Sequence, residues 1–322
     1  TSNLGLGTGA VDSITTGDNN VGVGDNALTA TTSGADNAAV GTYALFTNTI
    51  GATNTAVGYY TLHLNTEGSN NVAFGGYSLY KNTTASYNTG IGRSALYNNV
   101  TGANNTGIGG SALYANTTGS NNTANGMHSM YFNTTGTNNT ASGYQALYAN
   151  TTGAYNTAVG FQSLDANTTG AQNTSIGGSV LTSNTTGANN VGLGFAALAG
   201  TTTASFNTAL GHSALRNTTT GNYNTASGYQ ALNANTTGAE NTANGYGSLY
   251  FNTTGNYNTA FGRSALQDAT TASNNTALGY QAGDNITTGS SNIIIGYNVD
   301  APSATASNQL NIGGWITGAA GA

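Results

Sequence analysis

The stretch NTTGAYNTAVGFQSL, residues 150–164, decides the fold because near-copies of it recur along the whole chain. Aligned on the glycine that ends NTAVG, the copies follow one another every 17 residues from Gly7 to Gly313, in 19 units without insertion or deletion. A 17-residue unit is too short for the helical repeats, which need 33 residues or more. The period therefore predicts an all-β fold, a parallel β-solenoid of 19 rungs.

The composition excludes several classes of protein. Only 4% of the 322 residues are charged and the net charge is −6, which argues against a nucleic-acid partner because such a surface needs clustered Lys and Arg. Cysteine is absent, so disulfides and thiolate metal sites are excluded. No run of 18 apolar residues is present, and we expect no insertion into a membrane. Low charge would also suit a disordered chain, but the strict period argues against disorder.

Two columns of apolar residues are the candidate core. Alternation within NTAVG places Thr157 and Val159 on one face and Ala158 on the other. We expect the column of Val159, which includes Val57 in an earlier unit, to face the core. The second core column is the leucine four residues after the repeat glycine. It includes Leu147 and Leu164, and each buried leucine contributes about 1.5–3 kcal/mol.

Asparagine and glycine columns are the candidate structural ladder. When rungs stack about 4.8 Å apart, equivalent asparagines can hydrogen-bond amide to amide along the stack. Asparagine also tolerates the left-handed backbone that corners require. A second asparagine column runs through Asn48, Asn65 and Asn82, with a glycine or alanine at the corner that follows. The ladder residues that we single out are Asn71, Asn88, Asn105, Asn122, Asn139, Asn156, Gly143 and Gly160.

Tyrosines form the strongest candidate for a contact surface. They occupy one phase on five successive units and come directly after the buried leucine, so they should point away from the core. Such a ladder could pack against another chain, stack on itself or bind glycans, since tyrosine buries area and keeps a polar tip. The residues are Tyr80, Tyr97, Tyr114, Tyr131 and Tyr148.

A straight row of threonines that starts at Thr84 and Thr101 resembles the flat face of ice-binding solenoids. Such faces normally carry two outward ranks, and the neighbouring Thr83 column should point the other way. Ice binding is therefore a minor alternative to the adhesive and structural functions.

No constellation for catalysis, metal or cofactor binding is evident. The three histidines, His63, His128 and His212, fall in three different phases of the repeat and cannot stack into one column. Asp165 and Glu240 are more than four units apart, too far for a pair of catalytic carboxylates. We predict no catalytic residue, no cofactor and no metal.

The units NTAVGYYTL, NNVAFGGYSL and NTGIGRSAL resemble the Asn-x-Val-Ala-Ile-Gly rungs of YadA-like trimeric autotransporter heads. That resemblance covers essentially the whole chain and implies a left-handed parallel β-roll, three chains to a rod, that adheres to host surfaces. The autotransporter rung is shorter than 17 residues, and its length is less regular. The stretch 290–318 is similar to the segment that precedes the self-cleaving endosialidase-type chaperone of phage tail fibres, which implies a trimmed trimer.

The resulting expectation is a solenoid shaft over residues 1–300 and a C-terminal rung with a neck-like end over residues 301–322. Its partners would be identical chains and a host-surface glycan or receptor, at a cell surface, outside the cell or on a virion. The alternative is a filament that grows head to tail, because the rungs at both ends read as ordinary rungs and ordinary rungs expose strand edges.

Overall fold

The computed structural model describes residues 2–319, and within them the protein is an all-β parallel solenoid of about 18 turns with a 17-residue period and no helix. Each turn contributes one strand of three residues, and only the last two strands are longer. The strands are β1 Leu4–Leu6, β2 Val21–Val23, β3 Ala38–Val40, β4 Thr55–Val57, β5 Val72–Phe74, β6 Thr89–Ile91, β7 Thr106–Ile108, β8 Thr123–Asn125, β9 Thr140–Ser142, β10 Thr157–Val159, β11 Thr174–Ile176, β12 Val191–Leu193, β13 Thr208–Leu210, β14 Thr225–Ser227, β15 Thr242–Asn244, β16 Thr259–Phe261, β17 Thr276–Leu278, β18 Ile293–Ile295, β19 Gln309–Ile312 and β20 Ile316–Ala319.

The chain divides into two compact units, Thr1–Val159 and Gly160–Ala322. In the first unit, β1 to β10 pair in sequence order and in parallel, each residue lying beside the residue 17 positions on. For example, Thr89 of β6 lies beside Thr106 of β7, and Ile91 beside Ile108. The predicted 17-residue period is therefore confirmed as the register of the sheet.

The second unit has the same register from β11 to β19, but its C-terminal end is different. Here β20 turns back and pairs antiparallel with β19, so that Leu310 lies beside Gly318. The repeat glycine Gly313 has a φ of 58° in place of the 113–140° of its equivalents, because the chain reverses at this point. The last rung keeps the repeat register as far as Ile312, so the expectation that it is an ordinary rung is wrong only for residues 313–319, where the chain turns back. Residues 320–322 lie outside the described part.

The core is built from leucine and alanine. Each leucine of the predicted column from Leu28 to Leu266, with Met130 in place of one, is buried, which confirms that column. The strand residue that faces the core is the middle one, such as Ala158, which is 0% exposed. Val159 is 37% exposed, so the prediction that its column faces the core is wrong.

The reason for this reversal is the thinness of the solenoid. At Gly107, the middle residue of β7, an added Cβ would already lie 3.3 Å from the Cγ of Leu96 and 3.3 Å from the carbonyl oxygen of Ala112. The interior at this strand therefore accommodates a methyl group at most, and a branched side chain must point outward.

One turn of the second unit shows that the thin core is packed to a fixed volume. The leucine column carries Gly283, and the space is filled by Ile286 and by Ile294, which replaces the usual alanine on the next strand. An added Cβ at Gly283 would lie 3.2 Å from Ile294 Cγ1 and 3.3 Å from Ile286 Cδ1. Both isoleucines are 0% exposed, so apolar volume lost at one position is restored at two others.

The corners use left-handed backbone at positions that the sequence did not suggest. Residues of the leucine column have φ values of 49–57°, and the residue before each ladder asparagine, such as Asn104 or Tyr155, has a φ near 58°. The ladder asparagines themselves do not have positive φ. The prediction that these asparagines supply the left-handed corners is therefore wrong. Left-handed backbone costs a leucine roughly 1 kcal/mol, which its complete burial offsets.

Candidate functional site

The predicted asparagine ladder lies inside the solenoid and bonds to backbone groups of neighbouring turns. The Oδ1 of Asn105 accepts hydrogen bonds from the backbone N–H (3.0 Å) and the Nδ2 (3.2 Å) of Asn122. Its Nδ2 donates to the carbonyl oxygen of Gly119 at 2.8 Å. The same bond from backbone N–H to Oδ1 joins Asn88 to Asn71 and Asn156 to Asn139 in the first unit. Since these side chains are at most 1% exposed, their function is structural.

The second asparagine column is also a buried ladder. The Nδ2 of Asn82 donates to the Oδ1 of Asn65 at 2.8 Å and to the carbonyl oxygen of Ala85 at 2.9 Å. Next to it, the hydroxyl of Thr83 donates to the carbonyl oxygen of Val100 in the following rung at 3.1 Å. The bonds that join neighbouring turns therefore lie in the wall of the solenoid. They do not require the side chains on its outer faces.

The predicted tyrosine ladder lies on the outside of the first unit, partly exposed. Its rings stack at centroid distances of 5.1 Å (Tyr80–Tyr97), 5.2 Å (Tyr97–Tyr114), 5.0 Å (Tyr114–Tyr131) and 5.5 Å (Tyr131–Tyr148). Neighbouring planes differ by 9–29°. Because the rings cover one another's faces, they present edges and hydroxyl groups outward, an arrangement that suits lateral packing better than sugar stacking.

The stack continues beyond the tyrosines to His63 and Phe46, and several of its members have shifted pKa values. His63 stacks on Tyr80 at 5.4 Å and on Phe46 at 5.2 Å. Burial lowers the pKa of His63, partly offset by its hydrogen bond with the carbonyl of Tyr43. Burial, and then the neighbouring tyrosines, raise the pKa values of Tyr97 and Tyr131.

A second aromatic column in the second unit was missed, because its phase varies in sequence and reads as an outward, variable position. It stacks from Phe195 over His212, Tyr229 and Tyr246 at centroid distances of 5.2–5.3 Å. The guanidinium of Arg263 lies 5.4 Å from the Tyr246 ring and 5.6 Å from the ring of Tyr280. The sequence feature that could have revealed this column is the run of aromatic, His and Arg residues in one phase, because these chemically different side chains can all stack on one another.

The outer face of the sheet is uncharged and carries mostly apolar residues at the third strand position, which sequence reasoning missed because it assigned the strand phase the wrong way round. The third strand position projects outward, with Phe74 at 42%, Ile91 at 39% and Ile108 at 37% exposure. Threonine is the usual residue at the first position, and none of the twenty strands contains a charged residue.

The threonine row that includes Thr84 and Thr101 is exposed, whereas the Thr83 column is partly buried and bonded to backbone, as predicted. The three histidines do not form one column: His63 stacks in the first aromatic column, His128 contacts Tyr131 edge to face at 5.4 Å, and His212 stacks in the second column.

Two partly buried carboxyl groups have raised pKa values. Burial raises the pKa of Asp165, whose Oδ1 is buried without a hydrogen-bond partner among the described residues. Burial, followed by a hydrogen bond with Asp300, raises the pKa of Asp284. Across residues 2–319 no group of three or more His, Asp or Glu residues could hold a metal ion.

Comparison with known proteins does not identify the chain: neither a protein-family model nor a curated protein matches it. In the described part of the chain, no helix has the length and hydropathy needed to cross a membrane.

Proposed function

We propose that this protein is the shaft of a fibre built from identical chains, three to a fibre, that mediates attachment to a surface and has no catalytic activity. Its location would be a cell surface, the extracellular space or a virion. The resemblance to YadA-like heads and to tail-fibre segments supports the number of chains and the location.

The observation that carries the proposal is the uncharged outer face of the sheet, with its mostly apolar third strand position. A three-residue strand is about 10 Å long and rungs are about 4.8 Å apart, so each rung offers roughly 50 Å². The ten strands of the first unit would offer roughly 500 Å² and the nine in-register strands of the second unit roughly 450 Å², and the sum exceeds the ~800 Å² that each partner buries in an interface of standard size. Two identical copies of this face carry no like charges that would repel each other, although the chain as a whole has a net charge of −6.

Regularity supports a structural function. The sequence has no insertion in 19 units, whereas solenoids that act as enzymes or receptors usually carry loops on one face. Aromatic columns on the outside add lateral contact area without adding charge. These features suit a shaft whose sides pack against copies of itself.

The experiment is the mass of the intact particle, measured by light scattering and by cross-linking. We expect three times the chain mass of 32.0 kDa. The double variant Ile91→Lys with Ile108→Lys adds two charges to the sheet face and should give single chains. The matched control, Thr101→Lys with Thr118→Lys, places the same charges on the exposed threonine row and should leave the particle intact.

Single chains for the unchanged protein would refute the proposal. Electron micrographs separate the shaft from a head-to-tail filament, because particle length is independent of protein concentration for a shaft and increases with concentration for a filament.

A further inference from the structure

A cleft opens in the second unit where one side chain is missing from a column. In most turns the second residue after the repeat glycine carries a side chain, but here the position is Gly247. An added Cβ at Gly247 would find its nearest neighbour, the hydroxyl of Ser264, at 3.8 Å, so the space is open. The resulting cleft of 160 Å³ is lined by Gln230, Tyr246, Gly247, Tyr250 and Gln267.

The side chains that line the cleft are two tyrosine rings and two glutamine carboxamides. Tyr246 is stacked between Tyr229 and Arg263 and therefore presents its edge and hydroxyl. Tyr250 has only one ring contact among the described residues, an edge-to-face contact with Phe251 at 4.6 Å. Its ring is therefore open to a ligand in a way that the stacked tyrosines are not.

The polar side-chain groups around the cleft have no hydrogen-bond partners in the described part of the chain. Among residues 2–319, the carboxamides of Gln230 and Gln267 and the hydroxyls of Tyr246 and Tyr250 make no side-chain hydrogen bond. By contrast, Asn233, which occupies the position of Gln267 two turns earlier, donates to the carbonyl oxygen of Ser213 at 2.9 Å. Carboxamides and phenols both donate and accept, so this set can pair with hydroxyl groups of either orientation.

We propose that this cleft binds a single neutral pyranose ring of a glycan. The volume is below the range for drug-sized ligands and suits one ring. A sugar presents apolar C–H faces to an aromatic ring and hydroxyls to amides, which matches both kinds of wall, and no charged residue lines the cleft. The inference deepens the proposed attachment function by naming a ligand class and a site, which differs from the predicted tyrosine ladder.

Affinity for one ring should be on the order of millimolar, because few contacts must offset the cost of immobilising the ligand. A fibre with several chains would carry several such clefts, and simultaneous binding to one glycan-covered surface would strengthen attachment without new contacts.

The test is saturation-transfer NMR on the whole chain with glucose, galactose, mannose and N-acetylglucosamine as probes. We expect transfer from the protein to at least one sugar. Gly247→Gln fills the cleft and should weaken the transfer at least tenfold. The variant should fold, since Gln230 in the same column has a φ of 56° and Gly247 a φ of 60°. Gln267→Ala should weaken the transfer without filling the cleft.

Ser179→Gln is the matched control, in the same column (φ 55°) but away from the tyrosines, and it should leave the transfer unchanged. No transfer to any of the four sugars, or equal transfer in Gly247→Gln, would overturn the inference. The two proposals fail separately: single chains that bind sugar would refute only the fibre, and a multimer that binds none would refute only the cleft.

Discussion

Replacing Asn105 with alanine tests the central physical claim, that buried asparagines hold neighbouring turns together. The change removes the acceptor for the backbone N–H of Asn122 and the donor for the carbonyl oxygen of Gly119. Each buried group left without a partner costs about 1–3 kcal/mol, so the two together cost about 4 kcal/mol. The Nδ2 of Asn122 keeps its bond to the carbonyl oxygen of Gly136, which limits the damage to one side of the turn.

The effect should be local, because each turn of a solenoid is stabilised mainly by its neighbours and global unfolding is not a two-state process. Hydrogen exchange followed by mass spectrometry is therefore the assay. A loss of about 4 kcal/mol corresponds to roughly a thousandfold faster exchange of amides in the turns around residue 105. Amides around residues 208–225, in the other unit, should exchange at their original rate.

Asn104→Ala is the control, since Asn104 is exposed and its side chain makes no hydrogen bond to another described residue. Its left-handed φ of 58° suits alanine less well than asparagine, so we expect a cost of about 1 kcal/mol or less. If Asn105→Ala changed local exchange no more than Asn104→Ala does, the ladder would not be what stabilises the stack.

Three further predictions follow from the core and the titrating groups. Leu147→Ala should lower the local free energy of unfolding by about 3 kcal/mol, because the side chain is fully buried. Gly143→Asp should lower it further, because Gly143 has a φ of 140° that a residue with a side chain rarely adopts. Limited proteolysis should cut the affected turns of both variants, and unchanged protease resistance would contradict the packing. Asp165→Asn should raise the melting temperature at pH 7. Burial raises the pKa of Asp165, so the folded state binds the proton more tightly, and the unchanged protein should gain stability as the pH falls through that pKa, closing the gap to the variant. Tyr97 and Tyr131 should ionise above the usual value of 10.0 in an absorbance titration at 295 nm, and stability should fall as the pH rises through their pKa values.

The repeat period was enough to predict the stack, its register and the leucine column, because identical residues 17 apart can pair in only one way. The period did not decide which face of the strand lies inside, because an alternating pattern is consistent with either Ala158 or Val159 facing the core. The decisive signal was the range of residue sizes. The column of Ala158 is almost entirely Gly, Ala or Ser, as a narrow interior requires, whereas the column of Val159 runs from Phe74 to Asn125.

The left-handed leucines could not be predicted from propensity, because leucine rarely adopts that backbone in isolation. Burial of the side chain overrides the local preference at every turn, which only the packed structure reveals. The Gly247 cleft was missed for a different reason. It is formed by the absence of a side chain, and its one signal is a glycine in a phase that, apart from Gly9, carries residues with side chains such as Gln145.

The strict register of the strands makes the length of the protein adjustable. Each interior turn of the first unit bonds only to the turn before and the turn after it, and Asn88, Asn105 and Asn122 make the same bonds in succession. Removing residues 105–121 would join residue 104 to Asn122 and leave Asn88 facing an asparagine as before. Unequal recombination between such repeats could therefore produce shorter or longer versions of the protein without any repacking of its interior.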